Sequence, residues 1–398
     1  EISYNNMPML SNALRLFSKS LHSQLGLCKI SQSKRAAANA CIIQMLQCQR
    51  RFLCYQAKDQ QSPLQYELLN ERSLLQVNGL DAKSYLQGLI TNDLSCLDKC
   101  QRGAVFSMLL NAQGRVLFDT IVYVRSDSDN PEHRVYLIES ESSDLADLAK
   151  HLRRYRLRKK VEIADVSDKL LVAALLPAGL DDSAESSSEA ESQLLHSLSS
   201  RPGSECLVRD PRLPVGWAHR WLIRRDQSAT ALDGLQSAKT GTYRMTRYRL
   251  GIGEGPVDHP PGRALPLECN AALLNGVSFN KGCYLGQELT ARTHHTGVVR
   301  KRLAPVLFTD SGADCAALAG ATLIDARNGE TVGQVRSAHQ GRGLALVRLG
   351  RIQGGPQQRL LCKLNSGVAC EATVFKPDWW PSDVVTAASG DAADSREE

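Results

Sequence analysis

Asn280-Lys281-Gly282-Cys283-Tyr284-Leu285-Gly286-Gln287-Glu288-Leu289-Thr290-Ala291-Arg292-Thr293-His294-His295 is the densest run of chemistry-bearing side chains in the sequence. Lys281 beside Cys283, with Arg292 and Arg300 further along, is the kind of cationic surrounding that lowers a thiol pKa and populates the thiolate, the form that binds soft metals. Gly282 and Gly286 permit tight turns and close approach of a ligand. Gln287 and Glu288 are suited to opening a helix, where a carboxylate also meets the positive end of the helix dipole. A lone cysteine in a loop is structural more often than not, and it is the whole run that shifts the weight towards function. His294 and His295, read as part of an extended strand, point to opposite faces and do not share one metal, although one of them can line the cysteine loop.

Around this run lies a chain of 398 residues and 43.6 kDa, the length of two or three domains. Hydrophobic residues make up 42% and charged residues 23%, which excludes wholesale disorder. No window reaches the roughly 18 uninterrupted apolar residues of a membrane-spanning helix, so no membrane span is expected. The net charge of +6 is unevenly placed. Residues 1–58 hold eight Lys or Arg against the single acid Glu1, a surplus of seven that leaves the rest of the chain at −1. This near-neutral body lacks the basic excess of a nucleic-acid binder. Within the leading segment Leu10, Leu14, Phe17, Leu21 and Leu25 form a helical apolar stripe, with Arg15, Lys19 and His22 on other faces. A basic, acid-poor, amphipathic N-terminus is the composition of a mitochondrial transit peptide, so 1–58 reads as a matrix-targeting segment with a disordered lead. Four of the twelve cysteines fall in it; the other eight show no C-x-x-C and no paired zinc spacing, and suit a reducing compartment. Cys96 and Cys100 can share a helix face.

The body reads as α+β. Leu68 to Val77 has the composition of a strand, and Asp81 can cap a helix running through Tyr85, Leu86, Leu89 and Ile90 to Thr91. Strands follow at Ala104 to Leu110, Arg115 to Val124 and Arg134 to Glu139, the first two joined by the turn chemistry of Asn111-Ala112-Gln113-Gly114. Ser143 can cap a helix whose face is Leu145, Leu148, Leu152 and Tyr155. Lys169 to Leu176 is strand-like, Asp181 to Gln193 is an acidic, Ser-rich loop, and Trp217, His219, Trp221 and Ile223 alternate along a strand. From Arg300 onward, short strands separated by Gly-rich turns such as Gly341-Arg342-Gly343 predict a small all-β domain. The divisions are 64–150, 151–235 with the loop 181–193, a return segment 236–299 carrying the cysteine loop back onto the first domain, a β-barrel at 300–382, and a disordered tail at 387–398.

The strand from Arg115 to Val124 is apolar on both faces and must be buried on both sides. Strict alternation puts Val116, Phe118, Thr120, Val122 and Val124 on one face and Leu117, Asp119, Ile121 and Tyr123 on the other. Asp119 is thus a carboxylate on a greasy face; unpaired there it costs several kcal/mol or becomes protonated. It is either hydrogen-bonded to neighbouring backbone or the acid of a pocket. Gly251-Ile252-Gly253-Glu254-Gly255-Pro256 is no dinucleotide loop, because the third-glycine spacing is wrong and Pro256 interrupts the helix. Arg244, Arg247 and Tyr248 share a helical face that is either solvated or binds an anion. Trp379-Trp380 reads as packing.

Lys281-Gly282-Cys283-Tyr284-Leu285-Gly286-Gln287-Glu288 resembles the K-G-C-Y/F-x-G-Q-E signature of T-protein-like iron–sulfur assembly factors, relatives of the glycine-cleavage aminomethyltransferase. Tyr85-Leu86-Gln87-Gly88-Leu89-Ile90-Thr91-Asn92-Asp93 is similar to the first-domain signature, and the stretches 250–255 and 258–270 to the approach to the cysteine loop. The resemblance covers roughly residues 64 to 380. It implies a three-domain fold around a central opening able to receive a folate, ending in a small β-barrel. It implies tetrahydrofolate as a cofactor candidate, with Glu268 in Leu265-Pro266-Leu267-Glu268 on the pterin; the helical face of Arg244, Arg247 and Tyr248 then supplies Arg244 and Tyr248 as candidates for the anionic folate tail. Pro266 replaces the family's Arg. Gly114-Arg115-Val116-Leu117-Phe118-Asp119 is similar to the enzymes' paired-acid strand, with Phe118 in place of the first acid, so Asp119 survives as the catalytic candidate and aminomethyl transfer is weakened. The function implied is a matrix assembly factor acting late in [4Fe–4S] formation, monomeric on its own and binding A-type iron–sulfur scaffold proteins. Cys283 would be the ligand of a [2Fe–2S] cluster shared with that partner, supported by Lys281, Gly282, Tyr284, Gly286, Gln287, Glu288 and Arg292. The alternative is a tetrahydrofolate-dependent one-carbon transferase, and whether any reaction is catalysed stays open.

Overall fold

The computed structural model describes residues 64–99, 103–126, 134–178, 189–213, 217–309, 315–352, 358–364, 367–381 and 384. The segment 1–58 read as targeting, Cys100, residues 181–188 of the Ser-rich loop and the tail 387–398 lie outside the described residues.

Strands β1 (Leu64–Leu68), β2 (Arg72–Asn78), β3 (Ala104–Leu110), β4 (Val116–Ser126), β5 (Arg134–Glu141), β6 (Glu162–Asp165), β7 (Leu170–Pro177), β8 (Ser204–Arg209), β9 (His219–Arg224) and β10 (Gln236–Ser237) form two five-stranded sheets. Their orders are β3-β4-β5-β2-β6 and β10-β1-β7-β9-β8. The helices are α1 (Ala82–Gln87), α2 (Ser95–Lys99), α3 (Leu145–Arg156), α4 (Glu189–Ser199), α5 (Ser228–Leu232), α6 (Thr242–Leu250), α7 (Gly255–Asp258) and α8 (Gln287–Thr296).

Period-two alternation explains the layering. Leu74, Met108, Ile121 and Leu137 of the first sheet meet Val172, Ala174, Leu176 and Leu222 of the second in one core between the sheets. The opposite face of the first sheet, with Val77, Val105, Val122 and Ile138, takes the apolar stripes of α1 and α3: Tyr85, Leu86, Leu145, Leu148 and Leu152. On the outer face of the second sheet, Ala173, Leu175, Trp221 and Ile223 pack with Leu198 of α4 and Ala231 of α5. The remaining strands β11 (Lys301–Thr309), β12 (Thr322–Asp325), β13 (Thr331–His339), β14 (Arg342–Arg348), β15 (Leu360–Leu364) and β16 (Gly367–Val374) close into a six-stranded barrel. Its tight β13-β14 turn puts Gln340 and Gly341 at φ 47° and 78°, the primed-turn geometry that suits a hairpin. Trp380 packs inside the barrel core, while the Trp379 indole donates to Leu250 O. No helix among the described residues is long and apolar enough to cross a membrane.

Several local expectations are corrected. The run Leu68–Val77 reverses at Leu69–Glu71, where Arg72 N–H donates to Leu69 O at 2.9 Å, so it belongs to two strands in different sheets. Helix α1 ends at Gln87, and Asp81 makes no capping bond; its carboxylate accepts from Lys160 N–H at 2.8 Å instead. Asp144 rather than Ser143 is the N-cap of α3, because residues 142–144 form a preceding 3₁₀ turn. The acidic loop ends sooner than its composition implies, since Glu189–Ser199 is helical. Finally, the register shifts between Leu109 and Leu110, which pair with Phe118 and Val116. This bulge inverts the faces of β4 before Phe118. Val116 joins Asp119, Ile121 and Tyr123 between the sheets, and Leu117 packs on the helical side.

Candidate functional site

The cysteine loop is held against the first sheet by a ladder of long-range bonds. Upstream of it, Asn92 Nδ2 donates to Asn275 O at 2.6 Å, Thr91 Oγ1 to Gly276 O at 2.6 Å, and Ser278 N–H to Thr91 O at 3.0 Å. Lys281 then extends its ammonium into the end of α1 and the turn after it, donating to Gln87 O (2.8 Å), Ile90 O (2.8 Å) and Asn92 O (2.6 Å). Three carbonyls match the three donors of an ammonium group. Burial pushes the Lys281 pKa down to about 8, with Asp93 acting against that shift. Beneath it lies the buried Tyr284 ring, 5.2 Å from Nζ. Leu285 N–H donates to Gly88 O at 3.0 Å, and Gln287 Oε1 accepts from Tyr284 N–H at 3.2 Å.

These contacts place the ammonium of Lys281 on backbone carbonyls of residues 87–92, where it anchors the loop. They also separate the two motif glycines. Gly286 has φ 79°, and a Cβ there would stand 2.3 Å from Asn111 O, in the turn between β3 and β4. Gly282 has open space where its Cβ would be. Only Gly286 is a packing requirement. Gly286 is the N-cap of α8, which Gln287 and Glu288 open. Glu288 and Arg292 lie on its exposed side. His294 and His295 are helical, not extended; both are exposed, and His294 stacks on Phe279 with centroids 3.5 Å apart. Cys283, between the anchored Lys281 and Tyr284, is itself exposed. Among the described residues no group of three or more His, Cys, Asp or Glu could hold a metal ion.

The folate candidates sit on separate elements. Glu268 lines a cavity of about 260 Å³ with Leu265, Leu267, Leu289, Thr290 and Lys301. Burial raises its carboxyl pKa, with Lys301 opposing. Arg244 is half-exposed, 3.7 Å from Glu71, and Tyr248 is buried on α6. Asp119 lies between the sheets. Its Oδ1 accepts from Gly255 N–H at 2.8 Å and its Oδ2 is 3.9 Å from Arg72.

Asp119 is one edge of a larger constellation that sequence reasoning missed. Four buried arginines, Arg72, Arg212, Arg220 and Arg247, meet the buried carboxylates Asp119, Glu139, Asp210, Glu254 and Asp258. Glu139 Oε1 accepts from Arg72 Nε at 2.8 Å, Oε1 is 3.2 Å from Arg220 Nη1, and Oε2 accepts from the Tyr123 hydroxyl at 2.5 Å. Glu254 Oε2 collects Arg212 at 2.7 Å, Arg220 at 2.8 Å and the Tyr243 hydroxyl at 2.6 Å. Burial disfavours a charged Glu254, yet the guanidinium groups of Arg72, Arg247, Arg212 and Arg220 hold its carboxyl well below the usual range. Arg220 sits on β9 between buried His219 and Trp221. The argument that picks out Asp119, a charge on a strand apolar on both faces, picks out Arg220 equally well.

Comparison with known proteins places this geometry. Residues 300–382 match the family model described as the CAF17 C-terminal beta-barrel domain. The solved glycine cleavage system aminomethyltransferase T from Bartonella henselae superposes with a TM-score of 0.58 over 80% of this chain and 87% of that one, at 15% identity, which establishes a shared fold. The chain is 40% identical over 322 residues to the mitochondrial iron–sulfur cluster assembly factor IBA57 of Homo sapiens, covering 79% of this chain and 85% of that protein. It is 37% identical over 321 residues to the Mus musculus protein of the same name, with the same coverage. An anchored loop presenting an exposed thiol, on a T-protein fold closed by this barrel and at this level of identity, makes the chain a member of the IBA57 family of mitochondrial iron–sulfur cluster assembly factors.

Proposed function

We propose that the chain is a matrix assembly factor acting late in [4Fe–4S] maturation, and that the Cys283 thiolate shares a [2Fe–2S] cluster with an A-type scaffold protein. The observation that carries this reading is the exposed Cys283 on a loop fixed by Lys281, Tyr284 and Leu285 on either side of it. Four ligands are usual for a cluster, so one thiol needs another protein's cysteines. A fixed loop lowers the ordering cost of bringing the two sets together. Lys281, Tyr284, Gly286 and Gln287 position the loop, while Gly282, Glu288 and Arg292 line its exposed side.

The test is to mix the chain anaerobically with an A-type scaffold carrying [2Fe–2S] and record visible circular dichroism alongside size exclusion. A complex with an altered cluster spectrum is expected, with the spectral change lost in Cys283→Ser. An identical spectrum for wild type and Cys283→Ser overturns the ligand role.

The second reading, a tetrahydrofolate-dependent transferase, is favoured by the cavity at Glu268, whose two acceptor oxygens suit the adjacent N–H donors of a pterin. Calorimetry with tetrahydrofolate, using Glu268→Ala and Asp119→Asn as controls, decides it. Absence of binding to the wild type removes it.

A further inference from the structure

Six of the eight residues from Arg153 to Lys160 are cationic: Arg153, Arg154, Arg156, Arg158, Lys159 and Lys160. All six are exposed, in a body whose overall charge is close to zero. In their midst Leu157 is 85% exposed, and Leu80, in the adjoining turn, is 68% exposed. The two turns are tied together, since Asp81 N–H donates to Lys160 O at 3.3 Å, Lys160 N–H returns a bond to the Asp81 carboxylate at 2.8 Å, and Lys159 Nζ lies 3.4 Å from Ser84 Oγ.

Leu157 has φ 46° and ψ −117°, and Lys159 N–H closes onto Arg156 O at 2.9 Å. That is the first central position of a type II′ turn, where glycine is the residue of choice. A branched apolar side chain held at positive φ and pushed into water is the reverse of what stability alone selects. Observed strain of this kind points to function.

The turn is not remote from the cysteine loop. Helix α1 joins them: the Tyr85 hydroxyl near its start donates to Leu152 O of α3, and Gln87 O at its end receives Lys281. Six residues of helix span about 9 Å, whereas an ordinary interface covers about 800 Å² on each partner. An interface of that area is about 30 Å across, wide enough for a protein seated on Cys283 to extend along α1 towards the basic turn.

We infer that the Arg153–Lys160 turn, with Leu157 and Leu80 at its centre, is the second half of the docking surface for the cluster-carrying protein, which must bring an acidic face with an apolar recess beside its cluster cysteines. This rests on the proposed function. An anionic bilayer is the poorer occupant, because two leucines bury less than a single acyl chain, which is itself only a marginal anchor.

The experiment is calorimetry of the full chain with [2Fe–2S]-loaded A-type scaffold at low and high salt, for wild type, Leu157→Gly and Arg154→Glu/Arg158→Glu. Leu157→Gly relieves the turn, so its melting temperature should equal or exceed that of wild type while affinity falls about fivefold. The double charge reversal should weaken binding about tenfold or more and flatten its salt dependence. The Cys283-dependent cluster spectrum should survive in both at saturating scaffold. Wild-type affinity in both variants overturns this inference and leaves the proposed function standing; so does loss confined to sedimentation with anionic phospholipid vesicles. No complex with wild type removes the proposed function and this surface together.

Discussion

The charge network between the sheets and the cysteine loop draw on the same kinds of side chain and turn them in opposite directions. Between the sheets, every guanidinium is answered by a carboxylate or a hydroxyl of the chain itself, and Glu254 alone collects three donors on one oxygen. At the loop, the polar groups serve to hold the backbone, and the one soft nucleophile is left to the solvent. The difference teaches that polarity in this fold marks two separate things. The buried set fixes how the sheets meet; the exposed thiol has no internal partner among the described residues.

The comparison breaks most readily at its buried side. Arg220→Met removes a cation shared by Glu139, Asp210 and Glu254, and should destabilise the protein by about 3–5 kcal/mol in urea unfolding. A loss below about 1 kcal/mol would mean that the network is replaceable by apolar packing. Lys281→Met strips three carbonyls of their donor, with an expected cost of about 2–3 kcal/mol and weaker cluster sharing, because the loop loses its fixed position. Gly286→Ala should behave similarly and Gly282→Ala should be silent, a contrast that thermal melts will show directly. Glu141 tests the edge of the network: burial, against the pull of Arg72, raises its pKa to about 7. Its folded pKa lies above the unfolded value near 4.5, so between about pH 4.5 and 7 the folded state holds the extra proton and stability falls as pH rises. Glu141→Gln should remove that slope and add about 1 kcal/mol at pH 8, the figure being reduced for solvent screening, with no gain at pH 4. Cys283→Ser is the smallest in stability, within about 0.5 kcal/mol by melting, and yet complete in its loss of the shared cluster spectrum.

Those two regions were also unequally legible. The loop and its surroundings are local: β3 runs over the predicted residues, Asn111–Gly114 turns as its composition requires, Gly286 opens a helix, and the Gly-rich C-terminal segment closes as a barrel. The network is non-local. Arg72, Glu139, Arg220 and Glu254 meet from four separate stretches of chain, so no spacing announces them, although Arg220 carried the same signal as Asp119. Where local reading failed, a tertiary demand had won. A sheet change split Leu68–Val77, a bulge inverted the start of β4, and Asp81 was claimed by Lys160. The anchoring contacts of Lys281 were not legible either, because the carbonyls it meets lie 189 to 194 positions away in the chain.

The bonds from Asn275, Gly276, Ser278 and Lys281 to residues 87–92 join positions 183 to 194 apart. The amino-terminal sheet thus cannot finish its own boundary while the chain is still emerging or still being drawn across a membrane. Contacts of such sequence separation form slowly, and until they do the carbonyls after α1 stand open. The thiol is consequently presented only once most of the chain has arrived, which makes the presentation of Cys283 a report that the first domain is whole.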